Sequence, residues 1–179
     1  EKQVKNDKRK SFQTVYHIKD DKLIQIATKE FPNALLSNEG NGDYALISNP
    51  EPYQLSSQWT ALFSMNDLAV ININNGDSKI AIKSNPSSAR FSPKGEYAFG
   101  YNQVDSTWYT YNIKTLKYTE LTKGKVFYNE LNDSPDYPRS YGLAGWTKND
   151  KRILIYDRYD IWEFNPDDAS SKRLTKGRE

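Results

Sequence analysis

The chain of 179 residues has no cysteine, one histidine (His17) and one methionine. Without cysteine there is no disulfide, no thiolate zinc site and no cysteine nucleophile, and the redox compartment stays open. Long apolar runs are also missing: none approaches the ~20 residues a membrane-spanning helix needs, and no signal-type segment follows Glu1. The expectation is a soluble piece of a longer protein. Charge of one sign is equally scarce, with 25 Lys and Arg against 23 Asp and Glu and a net charge of +2. Because the signs are interspersed, a nucleic acid is a poor partner. The one dense basic run, Lys2 to Lys10 within residues 1–11, reads as a flexible, solvated N-terminus without a function of its own.

What the chain does have is aromatic residues, 13% in all, with Tyr alone contributing 13. Rings must therefore carry much of the burial, which favours strands over helices. Three segments then align: Ala34-Leu35-Leu36-Ser37, Ala89-Arg90-Phe91-Ser92 and Ala144-Gly145-Trp146-Thr147, spaced by 55 residues. Each opens with Ala, places a large apolar residue two positions on, and ends on a hydroxyl. A polar turn (NEGNGD, PKGE or KNDKR) leads into an apolar run at Tyr44–Ile47, Tyr97–Tyr101 or Ile153–Tyr156. A third run follows at Leu68–Ile73, Thr107–Ile113 or Asp160–Asn165. A tight turn closes it onto a fourth, Lys79–Ile82, Tyr118–Thr122 or Lys172–Thr175. Each unit reads as four antiparallel strands. Unit one carries extra length between strands two and three (49–66), and unit two carries its own after strand four (125–141). Phe12–Ile18, a KDDK turn and Leu23–Ala27 supply strands three and four of a further unit.

Four-stranded antiparallel units in tandem are the pattern of a β-propeller. The expected fold is all-β, about three and a half blades in an incomplete ring: a half blade over 12–31 and blades over 34–82, 89–122 and 144–175. Propellers have about 4 to 8 blades, so the chain is expected to be a fragment whose open flanks favour a homodimer. Trp108, Trp146 and Trp162 are expected to pack between blades.

The hairpin Ala89-Arg90-Phe91-Ser92-Pro93-Lys94-Gly95-Glu96-Tyr97, with its FSPxG motif, and the pairing of Asp160-Ile161-Trp162 with Arg173-Leu174-Thr175 resemble blades of prolyl oligopeptidase and dipeptidyl peptidase type serine peptidases. They also resemble TolB-like propellers of the cell envelope. Tyr141–Trp146 through Tyr156–Glu163 looks most like the large peptidase-family proteins of Bacteroidetes. The resemblance covers the chain from about residue 12. It implies a periplasmic or secreted protein whose propeller covers an α/β-hydrolase domain and admits peptide substrates. No part of that hydrolase is found here: there is no G-x-S-x-G elbow, and His17 lies on a strand without a nucleophile or orienting carboxylate. Neither a catalytic residue nor a cofactor or metal is therefore assigned.

Asp20-Asp21 and Asp167-Asp168 fall in hairpin turns, where Asp bonds local backbone; a calcium site would need more oxygen ligands. The insert from Val126 to Arg139 is the better place for contacts, because long loops on a rigid scaffold carry specificity. Glu130 is a candidate for holding a substrate amino terminus, as acidic residues do in dipeptidyl peptidase relatives, although the paired glutamates of that family are absent. Tyr128, Arg139 and, in the other insert, Trp59 complete the candidate contacts to peptide or protein partner. A lectin-like propeller stacking sugar on Trp59 or Trp108 is a third reading.

Overall fold

The computed structural model describes residues 9–56 and 65–177. Most of the basic run and Trp59 lie outside the described residues. Fourteen strands form one two-stranded and three four-stranded antiparallel sheets among the described residues. The half blade pairs β1 (Thr14–His17) with β2 (Lys22–Gln25). Blade 1 orders β3 (Asn33–Leu36), β4 (Tyr44–Asn49), β5 (Asn66–Asn72) and β6 (Ser78–Asn85). Blade 2 orders β7 (Arg90–Phe91), β8 (Tyr97–Asn102), β9 (Thr107–Asn112) and β10 (Tyr118–Glu120), and blade 3 orders β11 (Leu143–Trp146), β12 (Ile153–Tyr156), β13 (Ile161–Phe164) and β14 (Ser171–Arg173). The molecule is an all-β propeller of about three and a half blades whose ring is not closed.

Side chains alternate across each strand, so every inner blade has two faces to bury. On β4, Ala45 and Ile47 join Ile24, Ile26 and Ile71 in the seam with the half blade, while Leu46 joins Val70, Ala98, Tyr111 and Ile113 in the seam with blade 2. The seam between blades 2 and 3 is the most aromatic. Phe99, Trp108, Phe127, Ile153, Ile155 and Phe164 are buried there, with Trp146 and Trp162 packed against them. Burying such a side chain contributes roughly 1.5–3 kcal/mol. All of this burial lies between sheets, so neighbouring blades supply what one blade cannot.

Turn chemistry repeats with the strands. Asn72 and Asn112 end the third strand of their blades and Asn165 directly follows it, and each side-chain Oδ1 accepts the N–H two residues on, at 2.8, 3.0 and 3.0 Å. The residue four positions on is Gly76, Leu116 or Ala169, each with a positive φ (84°, 60° and 60°). Its N–H returns to the Asn carbonyl at 2.9–3.0 Å. This Asx turn closes strand three onto strand four.

Strand order also sorts the connections. Turns joining strands 1–2 and 3–4 lie at one end of the blades, here the turn end. Loops joining strands 2–3 and successive blades lie at the other, the insert end. Both long inserts therefore emerge at the same end of the ring.

Candidate functional site

The insert of blade 2 is an ordered hairpin. Tyr128 pairs with Ser140 in an antiparallel bridge, the Asn129 N–H donates to Arg139 O at 2.8 Å, and the Tyr141 N–H donates to Phe127 O at 3.2 Å. Phe127, only 3% exposed, meets Trp162 and Phe164 edge-on with ring centroids 6.0 and 5.3 Å apart, fixing the hairpin's base in the seam. Two residues at the far end of β8 and just beyond it hold the returning arm: the Tyr101 hydroxyl donates to Pro138 O at 3.0 Å and Gln103 Nε2 to Tyr137 O at 2.7 Å. At the tip, Asn132 Nδ2 bonds Ser134 O, Asp136 O and Asp136 Oδ1.

Three of the four candidates from sequence thus sit on facing arms of one hairpin. Tyr128 is half-buried, whereas Glu130 and Arg139 are exposed. Neither charged group forms an ion pair among the described residues, where the pairs are Lys123–Glu120 and Arg173–Asp160. The Glu130 N–H donates to the Tyr141 hydroxyl at 3.2 Å, which fixes its backbone and leaves the carboxylate to solvent. Trp59 belongs to residues 57–64, outside the described residues. The start of that first insert is tied down by Tyr53, whose hydroxyl donates to Asp67 Oδ1 at 2.6 Å.

The remaining candidates have structural partners. His17 Nε2 donates to Ile73 O at 2.8 Å across the first seam. In the second pair of acids, Asp168 accepts from Ser170 N–H and Asn165 Nδ2, and those Ser170 hydrogen bonds hold its carboxyl below the usual range. Asp157 accepts from Tyr159 N–H, Asp160 N–H and Trp162 Nε1, so the DRYDIW stretch is a loop closed on its own carboxylate. Trp108 corrects the sugar-stacking reading: at 3% exposure, with Tyr101 tilted against its ring, it presents no face to a ligand. Among the described residues no three His, Asp or Glu side chains gather as a metal site.

No local sequence signal marks how the turn end joins blades 2 and 3. Asp150, in the 1–2 turn of blade 3, reaches into the FSPxG turn of blade 2 and accepts from Ser92 Oγ at 2.5 Å and Lys94 N–H at 3.0 Å. Asp167 accepts from the Tyr97 hydroxyl at 2.8 Å and Asn112 Nδ2 at 2.9 Å. Burial and that carboxylate push the Tyr97 phenol well above its ordinary value, keeping it a donor.

No family profile and no curated protein matches the chain. Solved structures do. An oligogalacturonate lyase in complex with manganese is similar at a TM-score of 0.53 and 10% identity, over 93% of this chain and 48% of that one. The putative TolB from Agrobacterium tumefaciens gives 0.48 and 17%, over 87% of this chain and 51% of that one. Pyrococcus horikoshii acylaminoacyl peptidase gives 0.47 and 12%, over 83% and 25%. The chain spans about half the length of the first two and a quarter of the third. At these identities the likeness is one of fold.

Proposed function

We propose that this chain is a non-catalytic propeller segment of a prolyl oligopeptidase-type serine peptidase, periplasmic or secreted. It gates and positions peptide substrates for an α/β-hydrolase domain elsewhere in the protein. The observation that carries this reading is the anchored hairpin at the insert end, which holds a free carboxylate (Glu130) and a free guanidinium (Arg139) on adjacent arms. Those charges suit the amino and carboxyl termini of a short peptide. A TolB-like envelope platform uses the same hairpin, with a protein surface in place of the peptide.

The test is the coding region downstream of Glu179, then kinetics on the full protein. A G-x-S-x-G elbow followed by Asp and His is expected. Glu130→Gln and Arg139→Ala are expected to raise KM about tenfold each, with kcat little changed, as loss of uniform binding does. A gene without the elbow transfers the role to partner capture, and unchanged KM values remove the hairpin from substrate contact.

Self-association belongs to the same reading. The outward face of the half blade exposes Tyr16, Leu23 and Ile18, the last at 83%. The isolated chain is expected to sediment as a dimer, with Leu23→Lys shifting it to monomer. A wild-type monomer at all concentrations overturns this.

A further inference from the structure

The internal repeat allows one blade seam to be read against another. In the 2/3 seam, Asp167 of blade 3 takes the Tyr97 hydroxyl on one carboxylate oxygen and Asn112 Nδ2 on the other. Its carbonyl accepts from Lys117 Nζ at 2.5 Å and Thr119 Oγ1 at 3.2 Å. Strand registers place Tyr44 opposite Asn72 in blade 1 as Tyr97 is opposite Asn112 in blade 2. Counting from the Asx turn, blade 2's equivalent of Asp167 is Lys114, two residues after Asn112, as Asp167 follows Asn165.

The 1/2 seam therefore keeps the two donors and has lost the acceptor. Where the carboxylate would sit there is a cleft of about 220 Å³, lined by Tyr44, Asn72, Asp77, Lys79, Ile113 and Lys114 among others. Asn72 Oδ1 is occupied by the Asn74 N–H, leaving its Nδ2 to donate into the cleft, as Asn112 does toward Asp167. Lys79 replaces Thr119 and Lys114 replaces Asp167, adding two positive charges. Asp77 replaces Lys117 and is the one acidic residue lining this cleft, where it is engaged by Asn75 Nδ2 at 2.6 Å; Asp43 and Glu96 line the adjoining pocket with Lys114. The first seam has its own version of the lysine bond, Lys22 Nζ to Asn74 O at 3.3 Å, which Asp77 cannot make in the second.

From this juxtaposition we infer that the cleft between blades 1 and 2 is a binding site for a carboxylate. Tyr44 Oη and Asn72 Nδ2 donate one hydrogen bond to each oxygen, and Lys79 and Lys114 supply the countercharge. The site lies at the turn end, away from the hairpin that carries the peptide-contact reading, and does not depend on it.

The probes are acetate and a doubly capped peptide with the sequence of residues 164–169 (Phe-Asn-Pro-Asp-Asp-Ala), with chloride at matched ionic strength as control. The readouts are the Asn72 side-chain amide and Lys114 backbone amide signals by NMR. Saturable shifts are expected with the peptide. Tyr44→Phe is expected to weaken binding about tenfold, the equivalent of one charge-assisted hydrogen bond. Lys114→Asp, which restores blade 3's own acceptor, is expected to abolish probe binding and raise Tm, and adding Tyr44→Phe to it is expected to cancel that rise. Acetate binding at the same signals identifies a simple carboxylate as sufficient, whereas peptide binding alone identifies an acidic peptide side chain as the source. Shifts equal to those with chloride, or peptide affinity unchanged in Tyr44→Phe, overturn the site.

Discussion

Asp150→Ala is expected to lower stability by roughly 3 kcal/mol, in urea unfolding followed by tryptophan fluorescence. The carboxylate is 1% exposed and accepts from Ser92 Oγ, Lys94 N–H and, at 3.4 Å, Glu96 N–H. Hydrogen bonds to a charged group contribute roughly 1.5–3 kcal/mol each, and a buried donor left without its acceptor costs its desolvation as well. The loss falls on the FSPxG turn, because Ser92 Oγ also accepts the Tyr97 N–H that starts β8. Asp150 has a φ of 52°, so part of an alanine effect is backbone strain. Asp150→Asn separates the two contributions, since Asn tolerates that conformation but offers one acceptor oxygen instead of two. A loss below 1 kcal/mol in Asp150→Ala, or an Asp150→Asn variant as stable as the parent while Asp150→Ala is not, would falsify the seam role.

The same position shows how one repeat is adapted to different neighbours. Asp150 lies 55 residues after Gly95, and both have positive φ. A Cβ at Gly95 would lie 2.8 Å from Ser37 Cβ in blade 1. Blades 1 and 2 therefore close by direct approach at the place where blades 2 and 3 close through a carboxylate. Gly100 is a second close approach, with an added Cβ 2.6 Å from Tyr109 Oη. Tyr109 is fully buried and donates to Asn85 Oδ1 at 3.0 Å, so the absent side chain on β8 makes room for a hydroxyl that ties blade 2 to blade 1.

Blade order was legible in the sequence because alternation and turn residues are local signals, and three copies reinforce one another. The seams were not legible. Ser92 and Asp150 are 58 residues apart, and in KNDKR the aspartate carries the ordinary pattern of a turn residue. Asp167-Asp168 looked like one turn pair, yet only Asp168 serves its turn while Asp167 crosses to the next blade. For the site, sequence length and composition singled out the insert with Tyr128, Glu130 and Arg139. Its rigidity rests on Phe127, Tyr101 and Gln103, whose partners are set by tertiary packing and leave no local mark.

That rigidity is what Phe127→Ala is expected to remove. A buried Phe replaced by Ala costs roughly 3–5 kcal/mol, through lost transfer free energy and the cavity left behind. Here the cavity opens between blades 2 and 3, against Trp162 and Phe164. Global destabilisation by itself would say nothing of the hairpin, so Tyr101→Phe is paired with it. That variant deletes the bond to Pro138 O and keeps the ring against Trp108, so about 1 kcal/mol of stability is at stake. Amide exchange is the measurement that separates the two. In Phe127→Ala, protection is expected to fall at Asn129 and Tyr141, whose N–H groups bond across the hairpin, and in the β12 amides beside the new cavity. In Tyr101→Phe, it is expected to fall at Asn129 alone, with β12 unchanged. If the hairpin is the contact element, both variants should weaken ligand capture in proportion to the lost protection at Asn129. Capture that follows global stability instead would mean that the loop is held in place by the fold without being read by a partner.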